Sequence, residues 1–445
     1  MGEHGRGVGG QCRVWILNHY ADTPDRPTGT RHFALAEAIV RRGGAVTIFA
    51  AGRSNWTGHE ERLPRGAILR TKTFRKVGFV WVWTFPYHGN TWRRILNMLS
   101  YAVLVCVVQT RLPAPDVVVG STVHPFAALS AWCVAKLRRA RYVYEIRDLW
   151  PQTLIDLGAI GQRSLGARFL WALEAFLVGK ADSVITLLPG TATYLQGRGL
   201  RTDHVWYVPN GATNLTGAPH ARQPSGSPGV DKLSKLLGEM VRRRMAGEVI
   251  FAYVGTLGRV YHLDVVLRAH KLAVARAKRP ICLLLVGDGP EKQRLQKLTA
   301  ELHIPNVIFA DPVPNEDVPE LLATADVGVV HTTYNPVYRF GISFNKVFDY
   351  MAAGVPIVFA CSTVNDPVEA AGAGTTVVPD NPEALSAALV TLADCDIAER
   401  RRMGEAGRRF VETHHDMAQL GERFADIVGC SPSLPDATVA SSLPG

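Results

Sequence analysis

Much of the function space is closed by what this 445-residue chain does not contain. There is no Cys-x-x-Cys pair, and the seven cysteines (Cys12, Cys106, Cys133, Cys282, Cys361, Cys395, Cys430) are scattered and odd in number. That argues against a zinc ribbon or a disulfide framework and for a reduced, cytosolic setting. No stretch reads as a membrane span, which needs ~20 apolar residues; the uncharged run at 95–108 is only fourteen long. The opening MGEHGRGVGG lacks the apolar centre of a signal peptide and reads as a flexible lead-in. No Gly-x-G-x-x-Gly turn follows the first strand, which counts against a nicotinamide or flavin enzyme. The basic excess is spread out and no nucleic-acid reader motif accompanies it.

What is present is an alternation of strands and helices, on a chain long enough for two domains. Apolar residues make up 47% of the chain, enough for two cores. The net charge of +10 favours anionic partners such as nucleotides or phospholipid head groups. Strands are expected at 13–17, 46–50, 117–120, 141–146, 183–187 and 205–208, with helices at 30–42, 125–138 and 168–178 between them. Residues 215–247, rich in Gly, Pro, Ser and basic side chains, read as an interdomain linker holding one short helix at 231–244. Alternation resumes with strands at 249–254, 281–286, 307–309, 327–330 and from 357. The expected division is 11–214, linker 215–247, 248–412, a last helix within 413–430 that packs back on the first domain, and a disordered tail at 431–445.

Residues 74–112 break the pattern. Phe74, Phe79, Trp81, Trp83, Phe85, Tyr87 and Trp92 crowd ahead of Arg93 and Arg94. Two readings stay open: a buried helix of the first domain, or a basic-aromatic segment lying on an anionic membrane surface.

Ligands of parallel sheets gather at the carboxyl ends of strands. In the first domain three polar sets fall there: Asn18-His19, Ser121 to His124, and Glu145 to Asp148. Gly29, just before the first helix, is a point where bare backbone can approach a phosphate. In the second domain, 254–259 (VGTLGR) and 286–291 (VGDGPE) put Gly255, Arg259, Gly287, Asp288 and Gly289 at strand ends. The stretch YRFGISFNKVFDYMAAGVPIV (338–358) is a loop, a helix and a buried strand in succession. Asn345 is positioned to cap that helix, Lys346 adds a cation in its first turn, and Asp349 follows on the same face. The alternative is a solvated Lys346–Asp349 pair on a surface helix. Asp394-Cys395-Asp396 has the DxD pattern of metal sites, but it sits between two late helices, so no metal is expected.

In combination these motifs resemble the retaining glycosyltransferases of family 4, across roughly residues 11–428. The matching marks are VPNG (208–211), VGTLGR, VGDGPE and SFNKVFDYMAAGVPIV (343–358). RDLWP (147–151) and FPYHGNTWRRILNMLSYA (85–102) look like the WbuB-like subgroup that builds bacterial surface polysaccharides. The resemblance implies the α/β GT-B fold, two Rossmann-like parallel-sheet domains facing a central cleft. It implies a nucleotide-sugar donor, expected to be a UDP-sugar, and no other cofactor. Arg259 and Lys346 would grip the diphosphate, Asp349 the ribose, and Gly287 to Gly289 would pass near the nucleotide. Two positions depart from the family pattern. Gly341 stands where many members carry the first of two Glu residues eight apart, and Arg147 where many carry a His. His124, Arg147 and Asp148 remain as the candidate catalytic group on the acceptor side.

The activity this implies is transfer of a hexose or N-acetylhexosamine-type sugar to a lipid-linked saccharide. The setting would be the cytoplasmic face of a bacterial plasma membrane, docked through 74–111. Two alternatives use the same fold: a UDP-N-acetylglucosamine 2-epimerase, or a non-catalytic nucleotide-sugar-binding partner of a polysaccharide assembly system.

Overall fold

The computed structural model describes residues 11–26, 30–53, 62–87, 92–213, 215 and 228–430. The chain divides into two compact units. The first takes in the described residues up to Thr23, then those from 30 to Pro209, and returns from Ala418 onward; the second takes in the described residues from Asn210 to Met417, with 24–26 counted to it.

In the first unit, buried apolar runs form β1 (Arg13–Leu17), β2 (Ala45–Ala51), β3 (Leu69–Phe74), β4 (Val77–Val82), β5 (Val117–Ser121), β6 (Arg141–Ile146), β7 (Ser183–Thr186) and β8 (Val205–Tyr207). They make one sheet in the order β3-β4-β2-β1-β5-β6-β7-β8. Every pair is parallel except β3 with β4. Valine-rich β5 is buried along its whole length, as a strand covered on both faces must be. The β3–β4 hairpin is absent from the sequence-based expectations. β3 is an edge strand whose Arg70, Thr71, Lys72 and Thr73 all face solvent, so it has no apolar run to read. The aromatics of the 74–112 stretch accordingly divide: Phe79 and Trp81 belong to β4 and are 1% and 4% exposed, and Tyr87 is also buried. Trp83 beyond β4 is 37% exposed, and the helix Trp92–Val108 that follows presents an apolar face to solvent.

The last helix, Met417–Ile427, belongs with this unit from Ala418 on. Gly421 packs on Ala38 of the helix Arg31–Arg41, and Arg42 pairs with Glu422 and Asp426. Beside it, Cys12 and Cys430 form a disulfide with their Cα atoms 5.8 Å apart. This corrects the expectation of reduced cysteines throughout. A separation of 418 residues hides the pair in the sequence, and the return of the chain to β1 creates it.

The second unit is an all-parallel sheet of β9 (Val249–Val254), β10 (Ile281–Val286), β11 (Val307–Ala310), β12 (Val327–His331), β13 (Ile357–Ala360) and β14 (Gly374–Val377), ordered β11-β10-β9-β12-β13-β14. The helix Pro228–Met245 is part of it: Leu233 and Met240 are buried in its core. The expected linker therefore contains a structural helix of this unit, longer than the short one anticipated. Asp394 and Asp396, the DxD pair, serve the backbone: Asp394 accepts from the N–H groups of Lys278 and Arg279, and Asp396 caps the helix Ile397–His414.

A close backbone contact locks that helix to the turn that leads into β13. A Cβ at Gly404 would lie 1.9 Å from the Gly354 carbonyl oxygen. Gly404→Ala must force the helix outward, and overpacking of this kind costs about 1–3 kcal/mol. Chemical denaturation should show a lower midpoint with an unchanged slope; an unaltered midpoint would show that the contact is not tight.

Candidate functional site

Two polar clusters occupy strand ends, one in each unit. In the second unit, parallel pairing carries β9 and β10 to the same level, Val254 opposite Val286. The turns beyond them lie backbone against backbone. Gly255 N–H donates to Val286 O, Leu257 N–H to Asp288 O, and Glu291 N–H back to Leu257 O. A side chain on Gly287 would begin 1.9 Å from Gly255 O, and one on Gly289 2.5 Å from Leu257 O; both glycines have φ near +150° (148° and 154°). Only glycine allows this approach. Asp288, between them, is exposed.

Lys346 projects beneath the first of these turns. A Cβ on Gly255 would meet its Nζ at 3.1 Å. Nζ donates to Tyr253 Oη at 2.7 Å and lies over the rings of Tyr253 and Tyr261, 4.1 and 3.6 Å from their centroids. Tyr253 Oη in turn donates to Thr256 O in the glycine turn. Lys346 and Asp349 are both partly buried, not a solvated surface pair. Burial disfavours both charges: it pulls the Lys346 ammonium down to about 7 and pushes the Asp349 carboxyl up to about 7, each opposed by the attraction of the other. Asn345 does not cap the helix Asn345–Ala352, as expected. Phe344 holds the cap position and Asn345 is the first helical residue, with no side chain on the free N–H groups. An uncapped helix start with a cation in its first turn is suited to an anion. Arg259 stands at the rim, its side chain 87% exposed and 3.5 Å from Glu291.

Two residues not singled out from the sequence hold the approach loop. Asn365 brackets Ile342 through both its N–H and its C=O. Asn210, the Asn of VPNG, bonds Ser343 through its own N–H and its side-chain amide. The VPNG motif was the available signal for the second; nothing local marks Asn365. Gly341 has φ of +97°, so the position lacking a carboxylate is also one where the chain uses glycine's freedom.

In the first unit, the three expected strand ends do converge. Asn18 Nδ2–H reaches Ser121 Oγ (3.5 Å) and His32 Nδ1 (2.8 Å), and Thr122 Oγ1 accepts from Arg147 N–H and donates to Glu145 O. Glu145 is fully buried. It takes the His32 Nε2–H at 2.6 Å and the Arg31 Nε–H at 3.2 Å, and the remaining Arg31 nitrogens reach the carbonyls of Val208 and Pro209. Burial alone would raise Glu145; His32 and the Arg31 guanidinium hold it well below the usual carboxylate range. Arg31 and His32 were missed because the first turn of a helix gives no hint that its side chains turn back over a sheet.

His124 does not fit the acceptor role expected of it. It is fully buried at the cap of the helix Pro125–Arg138. Its Nδ1 accepts from Ala127 N–H, which places the proton on Nε2, bonded to His19 Nδ1 at 2.7 Å. Burial, with Arg94 adding to it, lowers its pKa to about 3. With both nitrogens engaged and no affinity for a proton near neutrality, it positions the strand end. Asp148 is exposed at the end of β6, and the Arg147 guanidinium beside it has no hydrogen-bond or ion-pair partner among the described residues. Gly29 lies outside the described residues.

The chain matches two family models in succession. Residues 28–211 match the glycosyl transferase 4-like domain, and residues 242–410 match glycosyl transferases group 1. The chain belongs to the family 4 glycosyltransferases of GT-B fold. It is 25% identical over 264 residues to a protein of Escherichia coli named as a colanic acid biosynthesis glycosyl transferase, WcaI; the match covers 58% of this chain and 62% of WcaI. It is 28% identical over 254 residues to a GDP-mannose-dependent alpha-mannosyltransferase of Mycolicibacterium smegmatis, covering 56% of this chain and 57% of that one. The chain thus aligns with rather less than two thirds of either relative. Among solved structures it is similar in fold to Anabaena HepE in complex with UDP and glucose. The TM-score is 0.62 at 15% identity, over 94% of this chain and 99% of that one.

The charge state of the Lys346–Asp349 pair gives a pH dependence. As pH rises through about 7, Lys346 loses its proton and Asp349 ionises, so the pocket becomes less positive on both counts. Nucleoside diphosphate affinity should therefore fall above neutrality, by up to about tenfold per pH unit for each proton the complex requires. Titration calorimetry in buffers of different ionisation heat should show proton uptake on binding. Lys346→Met should bind weakly with a shallower slope; equal slopes in both proteins would remove Lys346 from the anion site.

Proposed function

We propose that this protein is a retaining glycosyltransferase that moves a hexose or N-acetylhexosamine-type sugar from a UDP-sugar to a lipid-linked saccharide at the cytoplasmic face of a membrane. The observation that carries the reading is Lys346, held by Tyr253 and Tyr261 under Gly255 at the start of an uncapped helix. As the glycosidic bond to the donor breaks, negative charge grows on the leaving diphosphate. A fixed ammonium and helix-end N–H groups meet that charge without rearranging, and one such donor typically contributes ~2.7–4 kcal/mol to lowering a barrier. In this reading Arg259, exposed at the rim, reaches the outer phosphate, and Asp349 a ribose hydroxyl.

On the acceptor side, Asp148 is the carboxylate left free once His124 is assigned to the helix cap. In this reading Asp148 receives the hydroxyl proton of the acceptor, and Arg147 meets acidic groups of a lipid-linked saccharide. UDP is preferred to GDP on the fold's likeness to HepE and on motif resemblance, against the GDP-mannose dependence of the mycobacterial relative. A second reading, nucleotide-sugar binding without turnover, draws on Gly341 in place of a carboxylate and on the engaged His124.

Incubation of the purified protein with labelled UDP-, GDP- and dTDP-sugars and a bacterial lipid extract separates these readings. Transfer of label from a UDP-sugar into butanol-soluble product is expected. Asp148→Asn should lower turnover by about a hundredfold or more while donor KM stays within about twofold. Donor binding without turnover would favour the non-catalytic reading, and transfer from GDP-sugars alone would overturn the choice of base.

A further inference from the structure

The helix Trp92–Val108 shows solvent a face that a water-soluble surface does not require. Trp92, Ile95, Leu99, Val103 and Val107 recur at intervals of three and four, and are 67, 53, 38, 61 and 58% exposed. The opposite face is fixed to the sheet. Tyr101, fully buried, donates to Phe49 O, and Asn97 Nδ2–H donates to Phe85 O. No helix of the described residues is long and apolar enough to cross a membrane, and this one could leave the sheet only by breaking those bonds. Between the helix and the end of β4 runs an apolar groove of about 570 Å³, lined by Ile68, Trp83, Phe85, Leu96, Leu99 and Val103 among others. Ile68 and Trp83 also wall a neighbouring groove of about 480 Å³ that carries Arg53 and Arg65. Apolar and basic surfaces therefore share a border.

The charge pattern around this face is one-sided. From 62 to 115 the sequence contains no Asp or Glu, against nine Arg and Lys. Among them Arg65, Arg70, Lys72 and Arg93 are exposed, and Arg65 has no hydrogen-bond or ion-pair partner among the described residues. Chance solvation of a surface mixes the two signs. A one-sided basic run around an exposed apolar stripe matches an acidic, apolar partner instead.

We propose that this face of the first unit docks on an anionic phospholipid bilayer. The outer stripe of the helix lies in the plane of the interface, Trp92 and Trp83 sit at head-group depth, and the basic residues of the 65–72 edge and Arg93 meet lipid phosphates. The helix lies on the membrane and does not span it. This deepens the reading of a lipid-linked acceptor by naming the surface that brings the protein to it. It also narrows the expected docking segment 74–111: Phe79 and Trp81 are core, and Ile68, Arg65 and Lys72, ahead of that segment, belong to the surface.

The test is co-sedimentation of the full chain with phosphatidylglycerol–phosphatidylcholine vesicles and with phosphatidylcholine alone. UDP-induced thermal stabilisation serves as an independent control of fold and donor site. Binding is expected only to the anionic vesicles and should weaken with salt. Arg65→Glu with Lys72→Glu should weaken it at least about tenfold, taking about fivefold per lost charge near the surface. Ile95→Glu with Val103→Glu, both on the solvent face, should abolish it while the UDP response persists. In the unaltered protein, acyl-brominated lipids should quench tryptophan fluorescence, and Trp92→Phe should reduce that quenching. Unchanged vesicle binding in the glutamate variants, or none by the unaltered protein that still responds to UDP, would overturn the proposal. So would a wild-type dimer that these substitutions convert to monomer without any vesicle binding, which would assign the stripe to a second copy. Loss of the UDP response in the unaltered protein would instead strike the donor-site reading.

Discussion

The strand-end cluster of the second unit depends on one backbone contact, Gly287 against the carbonyl of Gly255. Two parallel strands, β9 and β10, end at the same level and their turns must cross at a distance that admits no Cβ. Because the turns are bonded to each other through Leu257, Asp288 and Glu291, they form a rigid ledge. Lys346 fits under that ledge because Gly255 has no side chain to exclude it. The aromatic rings that flank the ammonium stabilise its charge through their faces, as burial works against it. A cation of this kind, opposed by burial and supported only in part by Asp349, is chemically suited to an anion.

The first unit solves a different problem at its strand ends. It buries a carboxylate, Glu145, and satisfies it completely with Arg31 and His32. His19 and His124 are likewise engaged with each other. A fully satisfied buried network is a poor reagent and a good support. What it supports is the end of β6, where Arg147 and Asp148 emerge toward solvent. Beyond this closed polar base the Asp148 side chain is exposed, and the half-buried Arg147 guanidinium favours the charged forms of both Glu145 and Asp148.

Legibility in the sequence followed burial. β9 and β10 could be read to the residue because strands covered on both faces are uninterrupted apolar runs bounded by turns. The glycine motifs were equally plain, since close backbone approach leaves a compositional mark. β3 was invisible because an exposed edge strand has polar residues where a reader looks for apolar ones, and its partner β4 lay in the aromatic segment whose two open readings, a buried helix or a membrane-surface segment, included no strand. The helix Pro228–Met245 was expected in part, as 231–244, but its composition suited a linker; its few buried contacts, Leu233 and Met240, decide its place in the second unit. His124 was misjudged for another reason. Its identity invites a proton-transfer role, but its state is set by Ala127, three residues along the chain, and by His19, 105 residues away. The Cys12–Cys430 bridge, likewise, exists only once the chain has returned to its start.

The central claim is that the ledge and Lys346 bind the diphosphate of a nucleotide sugar. The most direct measurement is calorimetric titration of uridine, UMP and UDP into the protein and into Lys346→Ala at one pH, without metal. The account predicts a stepwise gain with each phosphate in the unaltered protein. In the variant, the step from UMP to UDP should collapse by at least about 1.4 kcal/mol, a tenfold change in affinity. Equal affinity for UMP and UDP, or an undiminished step in the variant, would contradict it.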